Sequence, residues 1–269
     1  MADSDTIFTG NIAALYDRYL GPLLFEPYAE DMARRVSSLV SGRVLEIAAG
    51  TGIVTAAIRR ALPSQVSILA TDLNQPMIDH AAERRGANGI EWRQADAQSL
   101  DFGDGSFDVA ICQFGVMFFP DKVKAFGEAF RVLRPGGSYL FSVWDRIAAN
   151  EISKVVEDAV AELFPADPPR FLSRTPYGHH DPAPLAAMAK AAGFSSVAVE
   201  TVTKRSRVNA HSDVAIGLCH GSPLRAEIEA RAPGKLQDAT ALATAALERR
   251  FGAAPFDANL RAQVLTAVK

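Results

Sequence analysis

The chain has 269 residues, a formal net charge of −3, 48% hydrophobic and 22% charged residues. That is the composition of a folded globular chain, and the near balance of charge offers no basic face for nucleic acid. At about 150 residues per domain the length predicts one large domain, or one domain with a cap. The longest apolar run, residues 109–119, is broken by Gln113 and Gly115 and falls short of the ~18 residues of a membrane span. Residues 1–5 read Met-Ala-Asp-Ser-Asp, without the basic start or apolar stretch of a secretory signal. Two cysteines, Cys112 and Cys219, build neither a disulfide framework nor a zinc site. A cytoplasmic protein without a metal is expected.

The predicted elements alternate. Residues 43–47 form a short apolar strand that runs into Ala48-Ala49-Gly50-Thr51-Gly52. Residues 53–62 read as a helix stopped by Pro63, residues 66–70 as a second strand ending at Thr71-Asp72, and residues 76–84 as a helix between Asn74 and Gly86. Residues 89–93 and 107–114 give two more strands, the latter entered through Asp104-Gly105-Ser106. Asp121 can cap a helix over 122–133, Pro135-Gly136-Gly137 ends it, and residues 138–144 form a fifth strand. Strands alternating with helices of this length predict βαβ units and a parallel sheet.

The second half is less regular. A helix over 151–164 is followed by residues 165–184, whose six prolines, with His179 and His180 among them, predict an extended loop. A helix over 183–192 and a strand over 196–203 come next. Residues 211–252 are helical, with Ser222-Pro223 starting one helix and Gly252 ending the last. Residues 261–268 read as a closing strand. The chain thus divides into an N-terminal helical lid (1–40), an α/β core (41–210), a helical insertion or cap (211–252) and the closing strand of the core sheet (253–269).

The chemistry concentrates after the first strand. Strand, glycine turn and helix bring backbone close to a ligand, because a Cβ in the turn would collide with it or forbid the turn, and a helix start offers N–H groups to an anion. Asp72 ends the next strand, 22 positions after Gly50, where a carboxylate can accept both hydroxyls of a ribose. The pair points to a nucleoside-containing ligand at the C-terminal edge of the strands; the plainer alternative is a tight turn and a helix-capping aspartate. A dinucleotide fingerprint wants a third glycine where Thr55 stands. Glu46 would oppose a pyrophosphate and could help hold an ammonium group. Both points favour an aminoacyl nucleoside over NAD.

Val44-Leu45-Glu46-Ile47-Ala48-Ala49-Gly50-Thr51-Gly52 resembles motif I of class I S-adenosylmethionine-dependent methyltransferases. Thr71-Asp72-Leu73-Asn74-Gln75-Pro76-Met77 resembles their second motif, and Gln94-Ala95-Asp96-Ala97 the acidic stretch after the third strand. Phe107-Asp108-Val109-Ala110 resembles the fourth strand, and Leu133-Arg134-Pro135-Gly136-Gly137 the turn before the fifth. The five occur in the family's order and spacing over residues 40–145, and the small-molecule branch, which includes ubiquinone and menaquinone biosynthesis enzymes, is the nearest likeness. Ala48 stands where that family most often has glycine. The resemblance implies a doubly wound, mostly parallel seven-stranded α/β sheet (Rossmann-like), S-adenosylmethionine as cofactor, S-adenosylhomocysteine as product and a small-molecule methyl acceptor.

Roles follow from the resemblance residue by residue. Glu46, Ala48, Gly50, Thr51 and Gly52 border the methionine part; Asp72 takes the ribose hydroxyls; Leu73 and Met77 flank the adenine. Asp96 and the Ala97 N–H meet the adenine edge, and Gln113 presents its carbonyl to the ammonium. Tyr16 or Tyr19, in a segment that folds over the cofactor in this family, can reach the carboxylate; the alternative is that both tyrosines are packing residues. Methyl transfer from an activated donor is largely positioning, and a base is needed only for an acceptor that keeps its proton near neutral pH. His179 and His180 are the candidate bases, against the alternative of an exposed loop pair. The segments outside the core, with Arg174, Tyr177 and His220 also on them, are expected to wall the acceptor pocket. A cofactor-binding sensor or scaffold without transfer activity is the rival reading.

Overall fold

The computed structural model describes residues 12–269; residues 1–11 of the expected lid lie outside the described residues. Seven strands, β1 (Gly42–Ile47), β2 (Val66–Asp72), β3 (Ile90–Gln94), β4 (Phe107–Gln113), β5 (Leu133–Trp144), β6 (Ser196–Val208) and β7 (Phe256–Val268), form one sheet in the order β3-β2-β1-β4-β5-β7-β6. The first five are parallel, and β7 runs antiparallel to both β5 and β6. Val44, Leu45, Ala110, Ile111 and Val66 are wholly buried, as expected where helices cover both faces of a parallel sheet. Strand order reverses between β1 and β4, and in such sheets ligands bind outside the carboxyl ends of the strands at that point.

The helices behind this sheet are α3 (Ile53–Ala61), α4 (Gln75–Arg85), α5 (Lys122–Val132) and α8 (Pro182–Ala191). Asp121 caps α5 by accepting from the Lys124 N–H at 2.9 Å. Before β1, α1 (Ile12–Leu15) leads into a widened π-helical stretch, Tyr16–Phe25, and then α2 (Glu26–Val36). Pro22 lies inside the widened stretch; it has no N–H to give an α-helical bond, and its ring would clash with the preceding turn of a regular α-helix. Between β6 and β7 come α9 (His211–His220), α10 (Leu224–Arg231) and α11 (Leu236–Phe251). α9 packs on the π-helical stretch, where a Cβ on Gly217 would fall 2.7 Å from Leu20 Cδ2. No described helix is long and apolar enough to cross a membrane.

Three stretches differ from the sequence reading. After α6 (Glu151–Leu163), the proline-rich loop is not extended throughout: it folds a short helix, α7 (Phe171–Arg174), and its last residues already belong to α8. Pro182 takes the first turn of α8, where a missing N–H is no loss, and Asp181 caps it by accepting from Ala183 N–H at 3.0 Å. β6 continues past Thr203 to Val208, and β7 starts at Phe256 rather than Arg261, the two pairing from Val208↔Phe256 onward. Lys204, Arg205 and Arg207 look unlike strand interior, but β6 is an edge strand, where charged side chains are usual. Finally, β5 begins at Leu133, so Pro135-Gly136-Gly137 lies within it, and the register slips between Phe107 and Val109 on β4.

Candidate active site

A cleft with about 920 Å³ of empty space, part of it open to solvent, lies at the C-terminal ends of β1 and β4. The glycine turn, the Asp72 end of β2, the loop after β3 and the Gln113-Phe114-Gly115 end of β4 wall it, together with Tyr16 of the π-helical stretch. Of the residues singled out in the sequence, Tyr16, Ala48, Gly50, Asp72, Leu73, Met77, Asp96, Ala97 and Gln113 line this cleft.

Asp72 organises the turn. Its Oδ2 accepts the Gly50 N–H at 2.9 Å and its Oδ1 the Asn74 N–H at 2.8 Å. Burial raises its carboxyl above the ordinary range, opposed by these hydrogen bonds. The Gly50 amide that a phosphate would use is thus already taken by a carboxylate, which argues against a dinucleotide here. Each oxygen of a carboxylate has room for a further donor, as a ribose diol requires. Gly50 sits at φ +56°, and a Cβ built on it would meet nothing within 4 Å; the space belongs to the cleft. The side-chain Oε1 of Gln113 is buried without a hydrogen-bond partner, while its Nε2 donates to the Phe25 carbonyl at 3.2 Å. A buried acceptor left open on a ligand cleft suits a cationic donor such as an ammonium group. On the opposite wall, Asp96 uses Oδ1 to accept the Gln98 N–H at 2.8 Å. Leu73 is 51% exposed at the rim and Met77 is buried beside it. An aminoacyl nucleoside fits this donor and acceptor set.

Two non-glycine residues at the site have left-handed backbone: Ala48 at φ +57° and Phe114 at φ +55°, a conformation that costs about 1–2 kcal/mol for an L side chain. The Ala48 methyl has room because Gly115 faces it: a Cβ on Gly115 would lie 2.6 Å from the Ala48 Cβ. Phe114 is held by its N–H, which donates to the Ser142 carbonyl at 3.1 Å, and by its ring, stacked on Trp144 at 3.8 Å.

Four of the expected cofactor residues stand behind the cleft rather than on it. Glu46 is buried and its Oε2 accepts from the Thr55 hydroxyl at 2.5 Å; burial, opposed by that hydrogen bond, pushes its carboxyl up to about 8. Thr51 donates its hydroxyl to Asp17 Oδ1 at 3.1 Å. Gly52 allows close packing: a Cβ there would fall 2.5 Å from Trp92 Cη2. Tyr19 packs towards Gly217 of α9, with Arg18 over its ring at 5.1 Å. The candidate bases also lie off the cleft. His180 is exposed, with Nδ1 3.2 Å from the Tyr177 carbonyl, and His179 is half-buried, its imidazolium disfavoured by burial and by Lys122.

A second cavity, with about 510 Å³ of empty space, part of it open to solvent, adjoins the cleft through shared residues Tyr16, Phe114 and Phe118. Its walls are Leu20, Leu24 and Phe25 of the lid, Trp144 of β5, Phe171, Leu172, Pro176 and Tyr177 of the proline-rich segment, and Leu218, Ser222 and Pro223 of the cap, besides Met117. Among the described residues, no charged side chain and no histidine lines it. Two of its polar groups are engaged within the protein: the Tyr177 hydroxyl is 2.7 Å from Ser153 Oγ, and Ser222 Oγ donates to the Leu218 carbonyl at 2.6 Å. Burial pushes the phenols of Tyr16 and Tyr177 well above their ordinary range, and the charges of Asp72 and Asp17 add to this at Tyr16. Phe25, Phe114, Phe118 and Trp144 were not singled out in the sequence; the one available signal was the crowding of Phe114, Phe118 and Phe119 just past β4. Among the described residues no three His, Cys, Asp or Glu side chains are grouped to hold a metal.

The chain is similar to known proteins in sequence and in fold. A family model described as a methyltransferase domain matches residues 45–141. The ubiquinone/menaquinone biosynthesis C-methyltransferases UbiE of Vibrio campbellii and Serratia proteamaculans are each 33% identical over 174 residues, 60% of this chain and 67% and 69% of those proteins. Among solved structures, a phosphoethanolamine N-methyltransferase 2 of Haemonchus contortus in complex with S-adenosyl-L-methionine has a TM-score of 0.60 at 16% identity, over 100% of this chain and 60% of that one. Its likeness is in fold alone. With the turn, the acid and the strand order of the fold in place, the chain belongs to the class I S-adenosylmethionine-dependent methyltransferases, on the UbiE-like branch, with S-adenosylmethionine as its cofactor.

Proposed function

We propose that the chain methylates a small, uncharged, ring-bearing molecule held in the apolar cavity beside the cofactor cleft. The carrying observation is the shared wall of Tyr16, Phe114 and Phe118: a molecule in the apolar cavity borders the cleft there and otherwise meets mostly apolar side chains among the described residues. An acceptor charge would be desolvated with no partner, which disfavours phosphorylated and carboxylated compounds. The relatives' name, C-methyltransferases of ubiquinone and menaquinone biosynthesis, supports an apolar ring as the acceptor.

S-adenosylmethionine supplies an electrophilic methyl on a sulfonium sulfur. In this reading Asp72 holds the ribose hydroxyls, Asp96 and Ala97 meet the adenine between Leu73 and Met77, and Gln113 receives the ammonium. Tyr16, Phe114 and Phe118 bring acceptor and donor together and keep water from between them, which is most of what transfer from an activated donor requires. Neither lining phenol is a base, since burial holds both protonated. The acceptor therefore supplies its own nucleophilicity, as an electron-rich neutral ring does, and the proton it loses on methylation passes to water at the open side of the cleft. The lid and the cap serve as two walls of one acceptor site. Formation of S-adenosylhomocysteine over a panel of neutral aromatic acceptors and their carboxylated and phosphorylated counterparts tests this. Turnover confined to the neutral members is expected; faster turnover of the charged members would overturn it.

A further inference from the structure

Asp17 follows Tyr16 on the lid, and its side chain is only 3% exposed. Groups from two other segments converge on its carboxylate. The Thr51 hydroxyl of the glycine turn donates to Oδ1 at 3.1 Å. Arg85 donates Nη2 to the same oxygen at 2.6 Å and Nε to the Thr51 carbonyl at 3.3 Å, so one guanidinium clasps both lid and turn. Arg84 pairs through Nε with Oδ2, and His80 Nε2 lies 3.6 Å from that oxygen. His80, Arg84 and Arg85 all belong to α4, the helix that also places Met77 on the cleft. A buried carboxylate is stable only with its partners in place. The lid therefore reaches this position only when the glycine turn and α4 are arranged as they are around the cofactor cleft.

We propose that Asp17 is a positioning residue of the transferase site: it pins the lid to the glycine turn and α4, and so holds Tyr16 as the wall common to the cofactor cleft and the apolar cavity. The proposal rests on reading those two spaces as cofactor and acceptor sites. Its placement favours this over general scaffolding, because every one of these partners lies on the turn or on α4, and the neighbouring residue, Tyr16, lines both spaces.

Asp17→Asn keeps the shape and removes the charge. Calorimetric titration of the full chain with S-adenosylhomocysteine is expected to show affinity weakened about tenfold or more. Hydrogen exchange of the ligand-free protein is expected to be accelerated about tenfold over residues 16–25 and unchanged in β4 and β5. Asp17→Glu should recover most of the affinity. Arg85→Gln, which leaves Arg84 on the carboxylate, should shift both readouts the same way and carries the test if Asp17→Asn does not fold. Unchanged affinity and exchange in the folded variants would overturn the proposal. So would faster exchange spread evenly over the sheet, the mark of a purely structural role. If these readouts move as expected while charged acceptors are the ones methylated, the acceptor reading fails and the positioning role of Asp17 stands.

Discussion

The backbone N–H of Gly50 donates to Oδ2 of Asp72 at 2.9 Å, so the acid at the end of β2 ties down the turn at the end of β1. One side chain thereby shapes the glycine turn and offers its remaining acceptor capacity to the cleft. Asp72→Ala is expected to lower S-adenosylhomocysteine affinity about ten- to a hundredfold, the usual worth of hydrogen bonds to a charged group. Calorimetry on the folded variant checks this; an unchanged affinity would place the ribose elsewhere.

Gly50 and Gly52 are two residues apart and should fail in different ways. The space beside Gly50 is open cleft, whereas the space beside Gly52 is filled by Trp92. Gly50→Val is expected to abolish detectable cofactor binding in a protein that still folds, with the strain of its φ of +56° lowering stability by about 1–2 kcal/mol. Gly52→Ala is expected to lower stability by about 2–5 kcal/mol, through overpacking against the indole together with the strain of its φ of +74°. Any loss of affinity there should be secondary to that unfolding. Paired denaturation and titration of the two variants separates the cases.

The cofactor side of the molecule was legible because its parts are local. A strand, a glycine turn, a helix and an acid at the end of the next strand occur within thirty residues, and the sheet brings them to one edge. Sequence does not say which face of such a turn meets the ligand: Gly50 opens onto the cleft, while Thr51 points to Asp17 and Gly52 to Trp92. The neighbouring apolar cavity was legible only by segment: the additions that flank it, with Tyr177 on one of them, were expected to wall an acceptor pocket, but Leu24 and Leu218 each read as ordinary core and converge from stretches far apart in the chain. His179 and His180 drew attention by their chemistry, yet the turn that brings His180 back onto the Tyr177 carbonyl puts Tyr177, not either imidazole, on the cavity.

Glu46 predicts a dependence of stability on pH. Burial pushes its carboxyl up to about 8, against about 4.3 in an unfolded chain. Between these values the folded protein keeps a proton that the unfolded chain has released. The Glu46 contribution therefore falls as pH rises through that window and levels off above it. Glu46→Gln, which cannot ionise, should lack that contribution. Urea denaturation at pH 5 and pH 9 should show the parent losing more stability than the variant, by on the order of 1 kcal/mol or more. Equal losses would mean that Glu46 is ionised throughout.

The division of labour between the two cavities predicts a separation of binding constants. Leu218 is buried on α9 and lines the apolar cavity but not the cofactor cleft. A larger side chain there projects into space that the acceptor would occupy, since the opposite walls are the packed rings of Phe25, Phe114 and Trp144. Leu218→Trp is expected to raise the KM of a neutral aromatic acceptor about tenfold or more, as a clash in an otherwise complementary apolar site does. S-adenosylhomocysteine affinity should stay within about twofold, because the clash lies outside the cleft. Thermal unfolding of the same variant tells a filled cavity from a disrupted core: a filled cavity leaves Tm near that of the parent, while overpacking lowers it. A variant that keeps its Tm and its acceptor KM, yet loses cofactor affinity, would show that the apolar cavity serves the cofactor and that the acceptor binds elsewhere.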